Sequence, residues 1–307
     1  MKVITSNSFN NTSNDPAVVA IGSFDGLHLG HKKIINTTIE KAKEKSLNSG
    51  VFSFNPHPLQ VLVPGSAPSF LLSRNQKIRL LNELGLCYYF EQEFTRDFSC
   101  IKFEDFVKDI LLNQLNIKHV VVGTDFRFGY NSEGDINALR SLAQKYDFEV
   151  TGIEPLKKGE EKISSTEIRE MVKNGNIKDV SNLLGKNYCI EGRVVSGAGR
   201  GRKFGIPTAN LDLTTGYVIP PSGVYACYAH LNNKKYRAIV NFGHNPTFEG
   251  ENFSIEVHIF DLNQDLYDKI IEVELVEFIR SEMTFSSPEE LIEQINSDIL
   301  YTKNLLC

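Results

Sequence analysis

The sequence has few cysteines, and their arrangement excludes two common uses of this residue. Only five of the 307 residues are cysteine. They form no CxxC pair and their number is odd, so we expect neither a disulfide framework nor a cysteine-ligated zinc site. This usage favours a reducing compartment, the cytoplasm.

Long apolar runs and an excess of positive charge are also missing. Apolar stretches such as VVVG are far too short to span a bilayer, and the polar N-terminus has no apolar signal core. The formal net charge of −5 disfavours general binding to nucleic acid. We therefore expect a cytoplasmic protein with neither membrane nor nucleic-acid partners, while its oligomeric state stays open. Because neither a Walker motif nor GxGxxG occurs, a P-loop kinase and a Rossmann dehydrogenase are excluded.

The chain changes character near residue 185. Before this point, short apolar runs (17–22, 50–56 and 119–123) alternate with helix-like stretches, which predicts a parallel sheet with helical crossovers. After it, strand-like segments follow one another until a single helix-like segment closes the chain, which predicts an antiparallel barrel or sandwich. We predict two domains, residues 1–184 and 185–307.

A polar, glycine-rich segment follows the first predicted strand. GSFDGLHLGH (22–31) leads directly into a predicted helix. Ligands of parallel sheets bind at the carboxyl ends of strands, and the amides at a helix start attract anions. His28 and His31 could therefore hydrogen-bond phosphate oxygens; the alternative is a glycine-rich loop with two surface histidines.

A second candidate for phosphate binding is ISSTEIR (163–169). Ser165 or Thr166 lies at a predicted helix start, and Arg169 follows about one turn later. A hydroxyl, helix amides and a guanidinium could converge on a phosphate. The alternative is an ordinary helix cap with a surface arginine.

Two more strand ends carry polar side chains. FNPHP (54–58) offers His57 to the same edge of the sheet, and VVVGTDFRFG (120–129) offers Asp125 and Arg127. For the second motif, the alternative is a loop aspartate paired with a nearby arginine.

Taken together and in this order, the four motifs resemble the adenylyltransferase module of bacterial bifunctional FAD synthetases. The resemblance implies a Rossmann-like α/β nucleotidyltransferase domain in which the FMN phosphate attacks the α-phosphorus of ATP and releases pyrophosphate. It implies that His28 and His31 stabilise charge in the transition state. Asn55 stands where an aspartate is expected in the family's FDPHP motif. The implied nucleotide and phosphate contacts are Gly22, Phe24, Gly30, Ser165, Thr166 and Arg169, and the implied flavin contacts are His57, Pro58, Asp125 and Arg127.

The second predicted domain opens with GRGRKFGIPTANL (199–211). Gly199, Gly205 and basic residues including Arg202 allow a close, charged approach to a ligand. Thr208 and Asn210 supply hard oxygen ligands that suit Mg²⁺. The alternative is a basic hairpin with a proline turn.

Further along, SIEVHIFD (254–261) reads as a strand. Its alternation places Ile255, Val257 and Ile259 on one face and puts Glu256, His258 and Phe260 on the other. A lone glutamate on a strand is commonly a solvated residue.

With PTAN and NPTF, however, this strand resembles riboflavin kinase. That resemblance implies a six-stranded antiparallel barrel with a C-terminal helix. Glu256 would be the general base for the ribityl 5′-hydroxyl as it attacks the γ-phosphorus of ATP. Thr208 and Asn210 would bind Mg²⁺, and the loop with Gly199, Arg202 and Gly205 would cover the nucleotide.

The sequence therefore predicts a bifunctional enzyme of flavin cofactor synthesis. Riboflavin would become FMN in the C-terminal domain and FMN would become FAD in the N-terminal domain, with ATP as co-substrate and Mg²⁺ as cofactor. Two alternatives remain: an enzyme with one inactive module, or a flavin-sensing regulator without turnover.

Overall fold

The computed structural model describes residues 1–11, 15–65, 67–197, 205–247 and 250–306. The chain divides into two units. The first comprises Met1–Pro68 and Arg74–Ser164, and the second comprises Ser69–Ser73 and Ser165–Cys307. The domain boundary at residue 184 stays a prediction.

The first unit is built on a six-stranded parallel sheet, as the alternating pattern predicts. Its strand order is β1-β4-β3-β2-β5-β6, and every neighbouring pair is parallel. The strands are β1 (Lys2–Thr5), β2 (Ala17–Ile21), β3 (Asn48–Asn55), β4 (Tyr88–Glu93), β5 (Ile117–Gly123) and β6 (Glu149–Ile153). A short hairpin, β7 (Lys157–Lys158) and β8 (Glu161–Lys162), follows the sheet.

Helices connect the parallel strands. The first unit contains α1 (Leu29–Glu44), α2 (Pro58–Leu62), α3 (Arg74–Glu83), α4 (Arg96–Ser99), α5 (Phe103–Asp105) and α6 (Ile136–Tyr146). Every residue of β2 is buried, because helices cover both faces of a parallel sheet. The strand that delivers GSFDGLHLGH is therefore held in the centre of the core.

One amphipathic segment of the first unit is not wholly α-helical. FEDFVKDILLNQL begins as α5 but continues as a π-helix over Phe106–Gln114. The backbone N–H of Leu115 donates to the carbonyl of Ile110, five residues earlier. Phe106, Val107, Ile110 and Leu111 are buried, so the same apolar spacing serves either helix type.

The second unit contains the closed antiparallel barrel that the kinase resemblance implies. Its strand order is β10-β13-β12-β11-β14-β9, and β9 pairs back to β10. The strands are β9 (Tyr188–Val195), β10 (Ala209–Leu213), β11 (Gly223–Leu231), β12 (Lys234–Thr247), β13 (Gly250–Ile259) and β14 (Ile270–Arg280). The described residues of this unit also form α7 (Ser165–Lys173), α8 (Ile177–Leu184) and α9 (Pro288–Leu305).

The C-terminal helix α9 is fixed to the barrel by apolar and ionic contacts. Phe260 is buried in a cluster against which Ile295 and Ile299 of α9 pack. Asp298 is buried and accepts two hydrogen bonds from Nε of Arg280, at 2.9 and 3.2 Å. The face that Phe260 shares with Glu256 is thus partly covered by this helix.

A short segment of the N-terminal half belongs to the second unit. Within Ser69–Ser73, the N–H of Phe70 donates to the carbonyl of Gly216 and its carbonyl accepts from Val218, at 2.8 and 2.9 Å. Oγ of Ser73 donates to the carboxylate of Glu191 at 2.8 Å. The strap, as we call Ser69–Ser73, supplies hydrogen bonds to a unit that is otherwise C-terminal in sequence.

Across the part of the chain that the structure describes, no helix has the length and apolarity needed to cross a membrane.

Candidate active sites

In the first unit, His28 and His31 form a stacked pair at the start of α1. His28 is the N-cap residue, and its Nδ1 accepts a hydrogen bond from the backbone N–H of His31 at 3.3 Å. The ring centroids are 3.7 Å apart with 19° between the planes. His28 is only 6% exposed, which excludes the alternative of two surface histidines.

Glycines permit this arrangement. A Cβ on Gly30 would lie 3.0 Å from Cε1 and 3.1 Å from Nδ1 of His28, so a larger residue would displace the imidazole. A Cβ on Gly22 would lie 3.2 Å from the ring of Phe24, which in turn contacts His31 edge-on at 5.3 Å between centroids. Gly22, Phe24 and Gly30 thus shape the histidine pair.

Burial keeps both imidazoles neutral near pH 7. It lowers the pKa of His28 from 6.5 to about 4, with a further contribution from the positive charge of Lys162. The pKa of His31 lies well below its usual value, first because of burial and then because of His28, Lys77 and Lys162. Nδ1 of His31 is a buried atom without a hydrogen-bond partner among the described residues. Both rings are therefore neutral, and one nitrogen of His31 has a hydrogen-bonding capacity that the described residues do not satisfy.

Two lysines near this pair escaped the sequence analysis. Lys77 lies on α3 and Lys162 on β8, far from GSFDGLHLGH in sequence. Lys162 forms an ion pair with Asp125, one of the predicted flavin contacts. Lys162 therefore pairs with Asp125, and its positive charge also lowers the pKa values of the two histidines.

The other predicted residues of the first unit have local structural partners. His57 is the N-cap of α2, with Nδ1 accepting from the N–H of Leu59 at 3.3 Å, and Pro58 is the first helical residue. Arg127 lies 3.4 Å from Asp135, the N-cap of α6. The flavin contacts of His57, Pro58, Asp125 and Arg127 stay predictions.

The SSTEIR segment begins a helix where predicted. Helix α7 starts at Ser165, Thr166 is exposed at its first turn, and Arg169 lies one turn on. Arg169 is buried and its Nε donates to the carbonyl of Ser69 at 2.8 Å, so it is not a surface arginine. These residues belong to the second unit, and a role shared with His28 and His31 stays a prediction.

In the second unit, the strand register gathers Thr208, Asn210 and Glu256. Oγ1 of Thr208 donates to Oε2 of Glu256 at 3.1 Å. Asn210 on β10 and Asn241 on β12 are the cross-strand partners of Glu256 on β13. Directly opposed residues share a face of a sheet, so the carboxylate lies between two amides. Asn241 was missed because the sequence does not show which strands pair.

The alternation predicted for β13 is confirmed on its apolar side. Ile255, Val257 and Ile259 are all buried. On the other side, Nδ1 of His258 is 2.8 Å from the carbonyl of Pro207, which links β13 to the residue before Thr208.

A cavity of about 360 Å³ adjoins these residues. Thr208 and Asn210 line one side, and the loop 262–267 lines another. Tyr267 is 55% exposed, and its N–H donates to Oδ1 of Asp265 at 3.0 Å. Gly205 adopts a φ of +74°, a conformation that favours glycine. Gly199 and Arg202 lie outside the described residues.

A parallel sheet with an imidazole pair at a helix start and a closed barrel with a carboxylate beside a hydroxyl are the features expected of a transferase with two centres. Models of two protein families match in succession: FAD synthetase over residues 10–167 and riboflavin kinase over residues 184–306. The chain belongs to the family of bifunctional riboflavin kinase/FMN adenylyltransferases.

Two relatives carry the name of this family, and one solved structure has the same fold over nearly the whole chain. The bifunctional riboflavin kinase/FMN adenylyltransferase of Buchnera aphidicola subsp. Acyrthosiphon pisum is 39% identical over 94% of this chain and 92% of its own length. That of Bacillus subtilis is 38% identical, covering 94% and 93%. A crystal structure from Streptococcus pneumoniae, named a macrolide-efflux protein, superposes with a TM-score of 0.89 at 32% identity and covers 99% of both chains.

Proposed function

We propose that this chain phosphorylates riboflavin to FMN in its barrel and adenylylates FMN to FAD on its parallel sheet, using ATP in both reactions. The observation that carries the proposal is that one chain holds two sites with different chemistry. One presents neutral imidazoles at a helix start, and the other presents a carboxylate beside a hydroxyl and two amides. We assign residues 1–184 to adenylylation and 185–307 to phosphorylation, in the cytoplasm.

The imidazole site suits adenylyl transfer because the nucleophile is already an anion. An FMN phosphate oxygen bonds to the α-phosphorus of ATP as the bond to pyrophosphate breaks, so no base is needed. Catalysis then depends on position and on charge stabilisation. His28 and His31 donate hydrogen bonds to phosphate oxygens near the amides that open α1. The pyrophosphate portion of ATP is held by Ser165, Thr166 and Arg169. The shape of the histidine loop beside it is set by Gly22, Phe24 and Gly30.

The carboxylate site suits attack by an alcohol. Glu256 accepts the proton of the ribityl 5′-hydroxyl as that oxygen bonds to the γ-phosphorus of ATP and ADP leaves. The 3.1 Å hydrogen bond from Thr208 orients the carboxylate before substrate arrives. Nucleotide occupies the adjoining cavity, where Tyr267 offers an exposed ring to the base.

The donors at this site also fit Mg²⁺. Thr208 and Asn210 offer a hydroxyl and an amide oxygen next to the Glu256 carboxylate, an all-oxygen set of the kind that hard cations prefer. When bound, Mg²⁺ would neutralise charge on the ATP phosphates. Thr208 and Asn210 would hold it while Glu256 moves the proton.

Near the imidazole site, Asp125 and His57 are proposed to line the flavin pocket. The ion pair between Asp125 and Lys162 supports this, because the positive charge of Lys162 also lowers the pKa of both histidines. Pro58 and Arg127 complete the proposed flavin contacts.

A turnover assay with each flavin supplied separately tests the whole proposal. Purified chain, ATP and Mg²⁺ should convert riboflavin first to FMN and then to FAD, and should convert supplied FMN to FAD with release of pyrophosphate. Chromatography resolves the three flavins. Conversion at one step only would support an enzyme with an inactive module, and binding without any turnover would support a regulator; either outcome contradicts bifunctionality.

A further inference from the structure

A half-buried lysine lies against the loop that carries His28 and His31. Nζ of Lys77, on α3, donates to the backbone carbonyl of Ser23 at 2.8 Å. Oγ of Ser53, on β3, donates to the same carbonyl at 3.3 Å. Ser23 is the second residue of GSFDGLHLGH, so two separate elements anchor the beginning of this loop.

The loop needs such anchoring because its backbone is strained. Phe24, Gly26 and Leu27 have φ values of 51°, 84° and 47°. For residues other than glycine, this region is unfavourable and persists only where surrounding contacts impose it. Phe24 follows directly after the carbonyl that Lys77 holds.

Two carboxylates offset part of the cost of placing the Lys77 ammonium here. Burial lowers the pKa of Lys77, the negative charges of Asp25 and Glu91 oppose that shift, and the positive charge of Arg74 adds to it. Asp25 and Glu91 are both buried, and Arg74 binds both carboxylate oxygens of Glu91 at 2.7 and 2.9 Å. The half-buried Lys77 and the exposed Arg74 thus offset the charge of two buried carboxylates, the condition under which buried charges are tolerated.

The positive charge of Lys77 also lowers the pKa of His31. Burial is the first cause of the lowered pKa of His31, and His28 on the loop itself, Lys77 on α3 and Lys162 on β8 lower it further. Phe24, whose backbone follows Ser23, contacts the ring of His31. Lys77 is thus connected to His31 both through the loop and through its charge.

We propose that Lys77 is a positioning residue for adenylyl transfer: its ammonium holds the Ser23 carbonyl and so sets the shape of the loop that presents His28 and His31. The proposal rests on the role given to the two histidines in the proposed function. Lys77 acts through the loop, and its charge helps to keep His31 neutral.

The variant Lys77→Met keeps the length of the side chain and removes its charge. We expect kcat for FAD formation from FMN to fall on the order of tenfold or more, because small displacements of catalytic groups are costly. KM should change less than kcat, and riboflavin phosphorylation should keep its wild-type rate. Lys43→Met, at an exposed position of α1, is the matched control and should retain both activities.

A titration of His31 by NMR of ¹³C-labelled histidine separates this role from a merely structural one. Loss of the nearby positive charge should raise the pKa of His31 in Lys77→Met, while Lys43→Met leaves it unchanged. This readout needs no turnover, so it still tests Lys77 if the wild-type chain forms no FAD and the proposed function fails.

A second variant is needed in case Lys77→Met, which leaves the buried Asp25 charge uncompensated, fails to fold. The double variant Lys77→Met with Asp25→Asn removes one charge of each sign. It should fold and show the same selective loss of FAD formation. A folded variant that forms FAD at the wild-type rate, one that loses both activities equally, or an unchanged titration of His31 would each overturn the proposal.

Discussion

Gly197, two residues after the end of the first barrel strand, provides a sharp test of the kinase site. A Cβ built on Gly197 would lie 2.0 Å from Nδ2, 2.4 Å from Cγ and 2.8 Å from Oδ1 of Asn210. These separations are far below van der Waals contact, so Gly197→Ala must push the amide away. Asn210 is the cross-strand partner of Glu256 and a proposed Mg²⁺ ligand.

The size of the effect follows from the distance that Asn210 has to move. Relief of the clash requires a shift of roughly 1 Å, and a misplacement of that size can cost about 100-fold in rate. We therefore expect kcat/KM for riboflavin phosphorylation to fall about 100-fold, with a higher Mg²⁺ concentration needed for half-maximal rate. Adenylylation of supplied FMN should not change, because its proposed groups lie elsewhere in the chain.

Gly216→Ala is the matched control in the same unit. No atom lies within 4 Å of a Cβ at Gly216, and its φ is not in the left-handed region, so this substitution should leave both activities intact. Both variants are assayed by chromatography of FMN formed from riboflavin over a range of Mg²⁺ concentrations. Wild-type kinetics and Mg²⁺ dependence in Gly197→Ala would remove Asn210 from its proposed role.

Three further outcomes are expected. His28→Ala should abolish FAD formation but spare FMN formation, and Glu256→Gln should do the reverse; equal loss of both activities in either variant would contradict separate sites. The pKa of His28 is about 4 when folded and 6.5 when unfolded, so the unfolded chain binds more protons between these values and acidification destabilises the fold. Urea unfolding should show a loss of about 2 kcal/mol from this group between pH 7 and pH 5. That part of the pH dependence should be absent from His28→Ala, and its persistence there would disprove the assignment. Phe260→Ala should cost about 3–5 kcal/mol by opening a cavity beneath α9, whereas the exposed control Leu300→Ala should cost little, and equal stabilities in thermal melts would show that the contact is unimportant.

Local patterns in the sequence predicted the elements that carry the sites. The buried strand before GSFDGLHLGH, the helix start at Ser165 and the alternation of β13 are each set by neighbouring residues, and the structure confirms them. The pattern also predicted the closing helix, and the family resemblance decided for a barrel where periodicity alone left barrel and sandwich open.

Features set by long-range contacts escaped prediction. Lys77 and Lys162 are common residue types on ordinary segments, and only the folded chain places their charges near His31. Asn241 faces Glu256 because β12 pairs with β13, a register that no single strand specifies. The π-helix was missed because its apolar spacing also fits an α-helix, and β1 because it is four residues long and mostly exposed.

The strap has a consequence for how this protein can be divided. A fragment that begins at residue 185 omits Phe70 and Ser73, and with them two backbone hydrogen bonds at Gly216 and Val218 and the hydroxyl that donates to buried Glu191. The barrel therefore depends on residues that lie outside its own continuous stretch of sequence. A cut between the two halves removes the strap from the barrel, because the strap lies more than a hundred residues before residue 185. This applies to recombination, to domain grafting and to recombinant expression of the C-terminal half alone.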